Sequence, residues 1–485
     1  MSKIKSIDLP LNWQTVKFGD VATFTKKPKD LRYSDYNEVP FVPMNLVPIA
    51  TLFSKEFIRK PSDKISSGTY FEPGDILLAK ITPSFENGKQ CIIQELPTPF
   101  GIATTEVIPI REVEGVSDKF YLFNYLLLPD VRSLLTERMQ GTTGRLRLGT
   151  KTLAELEIPL PPLAEQLRIV AKIEALFTQL DAAIDSLKKA HAQLQRYRRS
   201  ILKSAFEGEL TREWREGYSG ELEPMSVSEV STQEGLSELP EGWEWTTLAN
   251  CAEILDSQRI PINAKERETR ISGKSESELY PYYGATGRVG WIDDYLFDEE
   301  LVLLGEDGAP FLDFLKDTAY LIRDKSWVNN HAHVLRAKSE VTSNQFLCHY
   351  LNTFDYHGYL TGTTRLKLNQ SAMRKIPVPL PPLPEQKQVV SELERNLSVA
   401  DEIEVTIKSE LERSEGLRQS ILKQAFSGKL VSQDPSDEPA SVLLEKIRAE
   451  KKQQQPKRGK KTTKSKTQNS DNYPLLIPFL IDDFS

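Results

Sequence analysis

Two nearly identical proline-rich segments constrain the fold of this chain more than any other feature. "IPLPPLAEQ" occupies Ile158–Gln166, and "VPLPPLPEQ" occupies Val378–Gln386, 220 residues later. At the same spacing, "SILKSAFEGEL" (Ser200–Leu210) is matched by "SILKQAFSGKL" (Ser420–Leu430). The stretches in front of the two proline segments differ except at their ends, so the sequence predicts a duplicated frame that holds two different inserts.

Each proline segment is followed by the pattern of a long helix. Pro161 and Pro162 end an extended segment and suit the first turn of a helix, and Glu165 and Glu385 suit the positive end of its dipole. Apolar residues then recur every seven positions, which predicts a helix ending before Gly208, with Gly428 in the matching place. Two such helices in one chain favour an antiparallel, coiled-coil-like pair, although a helical hairpin that serves only as a spacer fits the same pattern. The heptad positions are Val170, Phe177, Ile184, His191, Arg198 and Ala205 with Ile173, Leu180, Leu187, Leu194 and Ile201 in the first helix, and Val390, Leu397, Glu404, Leu411, Arg418 and Ala425 with Leu393, Ala400, Ile407, Ser414 and Ile421 in the second.

The inserts have the composition of mixed, mostly β domains. "GDILLAKITPSFENGK" alternates apolar residues from Ala79 to Phe85 with polar ones from Lys80 to Glu86, which predicts a strand with one polar face. "YPYYGATGRVGWIDDYLFDEELVLLGEDGAP" predicts short strands separated by glycine turns. The expected fold class is therefore α+β, with two mixed, mostly β insert domains separated by two long antiparallel helices in a pseudo-twofold repeat.

The repeat also predicts the domain boundaries. In order, these are a first insert domain (1–157), a long helix (158–210), a linker (211–238), a second insert domain (239–377), a second long helix (378–430), a C-terminal segment (431–452) and a basic tail (453–485). Most of this tail's first half belongs to "KKQQQPKRGKKTTKSK", which carries eight basic residues and no acidic ones over 451–466. We expect it to be disordered and solubilising, with nonspecific DNA attraction as the alternative.

Composition and motifs argue against several classes of protein. The hydrophobic content of 39% and charged content of 27% are ordinary for a globular chain, no apolar run is long enough for a membrane span, and no signal-peptide core is present, so we expect a cytoplasmic protein without a membrane partner. Three separated cysteines form neither a disulfide framework nor a metal pair. Phosphate loops, dinucleotide-binding glycines, methyltransferase tetrapeptides and a convincing nuclease site are absent, so we predict no catalytic residues.

Polar strands in the inserts are better explained as binding surfaces. His331 and His333 alternate in "WVNNHAHVL" with Cys348, His349 and His357 nearby, but hydrogen-bonded histidines are far more common than zinc sites, so we predict no metal. Because net charge is −7, any nucleic-acid contact must be a local basic surface. The basic pairs Arg145/Arg147 in "GTTGRLRL" and Arg365/Lys367 in "GTTRLKL" recur in both halves, which suits phosphate contacts, whereas the base-reading candidates differ between halves. The candidate DNA-binding residues are Lys80, Thr82, Ser84, Asn87, Lys89, Arg145, Arg147, Asn329, Asn330, His331, His333, Arg365 and Lys367.

These motifs together resemble the DNA-specificity subunit of type I restriction–modification enzymes. The doubled "PLPPLxEQ" and "SILKxAFxGxL" segments carry most of the resemblance, with "GELTREWRE" and "ASVLLEKIRAEK" after the helices, and it covers about Leu9 to Lys451. The resemblance implies a subunit of the phage-defence system, without an active site or cofactor of its own. Each insert would read one half of an asymmetric, split double-stranded DNA target. The helices would set the gap and dock two adenine-N6 methyltransferase subunits, which restriction/translocase subunits join. S-adenosylmethionine, ATP and Mg²⁺ would belong to those partners.

Some residues depart from the family pattern, and rival functions remain open. "IATTEV" (Ile102–Val107) stands where Gly-Ser-Thr-Glu-Phe is expected, and Glu404 and Arg418 occupy helix-seam positions, where they suggest partner docking rather than packing. The apolar end "YPLLIPFLIDDFS" has no counterpart in the family. A stand-alone sequence-specific regulator, or a coiled-coil spacer whose inserts bind proteins, would share much of the pattern.

Overall fold

The computed structural model describes residues 9–142, 144–225, 236–314 and 316–445. Contacts divide the chain into two compact units, the first containing residues 1–176 and 419–485 and the second containing residues 177–418. Residues 226–235 of the predicted linker, residues 446–452 of the predicted C-terminal segment and the whole predicted tail lie outside the described residues. Among those described, no helix is both long and apolar enough to cross a membrane.

The first unit combines short strands with short helices. Strands β2, β9, β6 and β7 form an antiparallel sheet in that order, and β4, β3, β8 and β5 form a second sheet in which β3 and β8 run parallel. Strand β1 pairs with β12, and β10 pairs with β11. The strands are β1 (Gln14–Lys17), β2 (Ala22–Phe24), β3 (Glu38–Val42), β4 (Ile58–Pro61), β5 (Thr69–Phe71), β6 (Ile76–Ala79), β7 (Gln90–Ile92), β8 (Gly101–Ala103), β9 (Val107–Glu112), β10 (Gln140–Thr142), β11 (Arg145–Arg147) and β12 (Glu157–Leu160); the helices are α1 (Phe18–Val21), α2 (Lys119–Tyr125), α3 (Pro129–Glu137), α4 (Thr150–Ala154) and the start of α5 (Leu163–Phe206).

The second unit repeats this topology, except that its described residues contain no strand equivalent to β5. Strands β14, β20, β17 and β18 form an antiparallel sheet, β16, β15 and β19 form a sheet with a parallel β15–β19 pair, and β13–β23 and β21–β22 complete the set. The two inserts, which share little sequence, therefore adopt one fold. The strands are β13 (Glu244–Thr247), β14 (Ala252–Ile254), β15 (Tyr280–Gly284), β16 (Gly287–Ile292), β17 (Leu301–Gly305), β18 (Ala319–Ile322), β19 (Trp327–Val328), β20 (Ala332–Ala337), β21 (Leu360–Thr361), β22 (Lys367–Leu368) and β23 (Pro377–Leu380); the helices are α6 (Arg212–Gly217), α7 (Leu248–Cys251), α8 (Ala264–Ile271), α9 (Asn344–Leu351), α10 (Gln370–Met373) and α11 (Leu383–Ala425).

The predicted long helices are confirmed as α5 and α11, with 44 and 43 residues. Every predicted heptad position is buried or half-buried. Gly208 and Gly428 have positive φ angles of 75° and 71°, and the next residue in each case donates its backbone N–H back to Ser204 or Gln424 at 2.9 Å. This is the hydrogen-bond pattern of a Schellman cap, which glycine favours because the left-handed conformation crowds a Cβ atom.

Within the second unit, α5 and α11 pack antiparallel. Leu194 contacts Ala400 and Ile407 in a small apolar cluster at the centre of the pair. Arg198 donates to Asp401 at 2.5 Å and to Glu404 at 3.1 Å. The two helices therefore run in opposite directions and bury their predicted seam.

The polar residues of the seam have partners inside the same helix pair. Glu404 accepts from Arg198 and also lies 2.8 Å from the Lys408 ammonium. Arg418 forms an ion pair with Asp181, and its guanidinium carbon lies 4.5 Å from the centre of the Phe177 ring. Ion pairs within the helix pair therefore account for Glu404 and Arg418, so a docking surface is not needed to explain these two residues.

The glutamate of each proline segment is a buried anchor. Glu165 is 1% exposed and accepts hydrogen bonds from the Trp13 indole at 3.0 Å and the Gln433 amide at 2.6 Å. Glu385 is fully buried and accepts from Trp243 at 3.0 Å, Thr211 at 2.7 Å and Arg215 at 2.9 Å. The helix dipole alone was therefore an incomplete explanation, because each glutamate also holds the tryptophan at the start of its half against the long helix.

Candidate nucleic-acid interface

A hairpin that carries the recurring basic pair is the main common feature of the two binding surfaces. In the first unit, β10 and β11 form a hairpin that ends in Arg145 and Arg147. Two backbone bonds fix it against the segment after β6: Thr82 N–H donates to Leu146 O at 3.1 Å, and Leu148 N–H donates to Lys80 O at 2.8 Å. We call this the first docked hairpin, residues 140–148.

The second unit repeats the arrangement bond for bond. Strands β21 and β22 place Arg365 and Lys367 on a hairpin beside the segment after β17. Gly308 N–H donates to Leu366 O at 3.1 Å, and Leu368 N–H donates to Glu306 O at 2.8 Å. We call residues 360–368 the second docked hairpin. In both units the backbone thus fixes the position of the basic pair.

Acidic side chains hold most of these basic groups in the free protein. Glu106 receives two hydrogen bonds from Arg147, at 2.7 and 2.9 Å, and this interaction holds the pKa of the Glu106 carboxyl below its ordinary value. Lys367 lies 3.1 Å from Glu306, and Arg365 lies 2.8 Å from Asp307. Arg145 is exposed and has no ion-pair partner among the described residues. The basic pairs are thus accessible but largely neutralised.

The predicted strand over residues 79–86 is wrong beyond Ala79. Strand β6 ends there, and residues 82–88 form successive turns, with Phe85 N–H donating to Ile81 O at 2.9 Å and Asn87 N–H donating to Pro83 O at 3.0 Å. The alternation of apolar and polar residues predicted a strand wrongly because Phe85 anchors a turn. Its ring is fully buried, 4.7 Å from the Arg132 guanidinium carbon. A proline and a turn glycine flank it, and both disfavour a continuous strand.

The candidate residues on this turn have different exposures. Asn87 is exposed, whereas Lys80, Thr82, Ser84 and Lys89 are half-buried. Thr82 donates to Glu86 at 2.9 Å, and Lys89 donates to Met44 O at 2.9 Å. These five predicted DNA contacts therefore lie on this turn or within two residues of it, beside the first docked hairpin.

Arg132 stabilises this turn through hydrogen bonds, a role that the sequence did not predict. Its guanidinium donates to Leu126 O at 2.6 Å, to Gln90 Oε1 at 2.5 Å and to Phe85 O. Burial lowers the pKa of Arg132 to about 10. No local pattern distinguishes this arginine from exposed arginines elsewhere in the chain, since its role depends on contacts with β7 and the turn.

Some candidate residues of the second unit are exposed, and others are buried. Asn330 is exposed, and His331 is half-buried with Nδ1 2.6 Å from Asp307. Asn329 is 8% exposed and accepts from the His331 backbone N–H at 2.8 Å. His333 is 1% exposed, with Nδ1 2.6 Å from Asp256 and Nε2 2.9 Å from Leu368 O. The His333 ring therefore fixes the second docked hairpin, rather than presenting a free edge to a ligand.

The histidines do not form the zinc set that their spacing suggested as an alternative. Among the described residues, Asp256, Glu306 and His333 bring ligand atoms within 4.8 Å of one another. Arg259 lies 2.8 Å from Glu306 and 3.5 Å from Asp256, and Lys367 lies 3.1 Å from Glu306. These cations already compensate the carboxylates, so an ion pair network describes the cluster better than a metal centre.

The repeated fold, with one docked basic hairpin in each unit, has counterparts among known proteins. The sequence matches the family described as Type I restriction modification DNA specificity domain over residues 10–196 and 240–413. It is 26% identical to the EcoDI specificity subunit of Escherichia coli over 464 residues, covering 91% of this chain and 96% of that relative. It is also 26% identical to the StySPI specificity subunit of Salmonella potsdam over 495 residues, covering 94% and 99%.

Solved structures show the same fold. A chain from a study of complex assembly and conformational transition of the type I R-M system has a TM-score of 0.67 at 17% identity, covering 87% of this chain and 99% of that one. The HsdS subunit from Thermoanaerobacter tengcongensis has a TM-score of 0.58 at 18% identity, covering 88% and 100%. The chain belongs to the family of type I restriction–modification DNA-specificity proteins. The predicted resemblance is confirmed, and the function is DNA recognition within such a system.

Proposed function

We propose that each unit reads one half of an asymmetric, bipartite double-stranded DNA target, with the docked hairpins on phosphates and the neighbouring segments on bases. The observation that carries this proposal is the identical backbone docking of a basic hairpin in two units whose neighbouring side chains differ. Phosphate contacts position a protein without reading sequence, so they suit a repeated element, whereas base contacts must differ between unlike half-sites. Two unlike readers imply an asymmetric target.

The long helices would set the gap between the half-sites and dock two adenine-N6 methyltransferase subunits. At about 1.5 Å per residue, helices of 43 and 44 residues extend about 65 Å, which provides a long surface for partner subunits. Restriction/translocase subunits would join this core in the cytoplasm. The complex would act as an adenine-N6 DNA methyltransferase and an ATP-dependent endonuclease, and S-adenosylmethionine, ATP and Mg²⁺ would bind those partners.

The proposal is tested by removing the basic pair of the first docked hairpin. We expect Arg145→Ala/Arg147→Ala to weaken binding of a 30-base-pair duplex and to flatten the dependence of log K on log salt by about one to two units, since each lost phosphate contact removes about 0.9. Fluorescence anisotropy between 50 and 300 mM KCl measures both quantities. Lys17→Ala is the matched control, because Lys17 is similarly exposed but pairs with Glu155 beside β12.

Mapping methylated adenines after co-expression with a methyltransferase subunit identifies the target. An unchanged affinity and salt slope in the double variant would refute phosphate contact by these arginines. Tight binding to one site by the purified chain alone, with no methylation on co-expression, would instead support a stand-alone regulator.

A further inference from the structure

The two docked hairpins present their basic side chains in the same way. The acidic residues that pair with those side chains lie at different positions in the two units. Lys80 N–H donates to Glu106 O at 2.9 Å, and in the second unit Glu306 N–H donates to His331 O at 2.8 Å. These bonds make Lys80 equivalent to Glu306, and Glu106 equivalent to His331. The acid thus lies before strand β9 in the first unit (Glu106) and after strand β17 in the second (Glu306). The position equivalent to each acid in the other unit carries a basic residue, His331 or Lys80. An acid opposite the hairpin is present in both units although its place in the chain has changed.

In each of these ion pairs, the acid is the more buried partner. The Glu106 side chain is 22% exposed against 49% for Arg147, and Asp307 is 20% exposed against 62% for Arg365. Glu306 and Lys367 follow the same order, at 14% and 49%. The basic groups therefore face solvent more than the acids do. A DNA phosphate that approaches a hairpin therefore meets a cation that already has an anionic partner.

We propose that Glu106 in the first unit, and Glu306 with Asp307 in the second, compete with DNA phosphates for the docked hairpins and thereby limit the DNA affinity that phosphate contacts alone provide. The inference rests on the proposed function of the hairpins. A phosphate gains less from Arg147 when Glu106 remains nearby, because the carboxylate repels it and the existing ion pair must be weakened. Nonspecific and specific complexes both use phosphate contacts, so the acids lower both affinities by a similar factor, and nonspecific binding, which has no base contacts to add, depends on the weakened contacts alone.

The effect on salt dependence has a defined sign. DNA releases counterions when protein cations neutralise its phosphates. A carboxylate that loses its internal cation takes up a cation from solution, and this uptake offsets part of the release. Removing Glu106 should therefore steepen the salt dependence, which a purely structural role for this residue would not change.

The test uses Glu106→Gln in the full chain, with a random-sequence 30-base-pair duplex as the nonspecific probe. We expect nonspecific affinity to rise about two- to fivefold, as weakening an exposed ion pair allows, and the slope of log K against log salt to become more negative by up to about one unit. Affinity for the mapped target should rise by a similar factor, because the specific complex uses the same phosphate contacts.

Glu155→Gln is the matched control, because it removes the same charge and breaks a comparable exposed ion pair with Lys17 away from the hairpin. In an Arg147→Ala background, Glu106→Gln should have a smaller effect, because only the direct repulsion between carboxylate and phosphate is then removed. Asp307→Asn repeats the test in the second unit, and circular dichroism establishes that each variant is folded.

The outcomes separate the two proposals. Wild-type affinity and slope in folded Glu106→Gln and Asp307→Asn variants, or equal effects from Glu155→Gln, would overturn the competition. An equally large effect of Glu106→Gln on affinity in the Arg147→Ala background would also overturn the competition. Loss of binding in Arg145→Ala/Arg147→Ala would still support the hairpin contacts in those cases, whereas wild-type binding by that variant would overturn the proposed function itself.

Discussion

Replacing the buried glutamate of each proline segment by glutamine should have unequal effects, although the two residues occupy equivalent places. The partners of Glu385 are Trp243, Thr211 and Arg215. Indole and guanidinium groups only donate hydrogen bonds, so they cannot adapt to the amide NH₂ of a glutamine. Arg215 is also 16% exposed, which leaves its charge largely buried without a counter-charge in Glu385→Gln.

The magnitude follows from the geometry at each site. Breaking a buried ion pair by removing one partner typically costs 3–5 kcal/mol, and Arg215 retains its bond to Gly208 O at 2.6 Å, so we expect Glu385→Gln to destabilise the second unit by about 2–4 kcal/mol. Glu165 accepts from Trp13 and Gln433, and the Gln433 amide can rotate to offer its oxygen. We therefore expect Glu165→Gln to cost about 1 kcal/mol or less.

The pH dependence provides a second test at Glu165. Burial raises the pKa of this carboxyl above its ordinary value, with hydrogen bonds from Trp13 and Gln433 opposing the shift. A carboxyl whose folded-state pKa is raised favours the folded state below its unfolded pKa, and this contribution is lost as pH rises through the folded pKa. The cost of Glu165→Gln should therefore shrink as pH increases from about 4.5 towards 7.

Amide hydrogen exchange, followed by mass spectrometry on peptides that cover the starts of α5 and α11, measures both effects locally. This local measurement is needed because two compact units need not unfold in one transition. Equal costs at the two sites, or a larger cost for Glu165→Gln at pH 7, would refute the role assigned to the donor-only partners.

Two further predictions follow from the helices. Inserting seven residues at facing positions in both α5 and α11 preserves the heptad seam and adds about 10 Å, so methylated half-sites should keep their sequences while the gap changes by about three base pairs; an altered half-site with an unchanged gap would contradict the gap-setting role, and insertion in one helix alone is the control. Gly428→Ala should destabilise the first unit by about 1–3 kcal/mol in urea unfolding, because a Cβ atom would lie 2.4 Å from the Pro10 ring at a φ of +71°; Gly416→Ala, at an open helical position, should not.

The sequence by itself determined the architecture. Heptad spacing predicted α5 and α11, the proline segments located where each helix begins, and Gly208 and Gly428 predicted where each ends. The repeats predicted two units of one fold. These features depend on residues within a few turns of one another, so local geometry and periodicity are enough to predict them.

Tertiary structure decided which side chains face one another. The pair between Arg147 and Glu106 joins residues 41 apart, and the pair between Arg215 and Glu385 joins residues 170 apart, so neither has a local pattern. Phe85 is buried in the turn at 82–88, and the alternation of apolar and polar residues could not distinguish this turn from a strand. His333 proved to be inside the protein rather than on its surface. Periodicity predicts which elements form, but the charge and exposure of a binding surface depend on the segments that sheet pairing brings together.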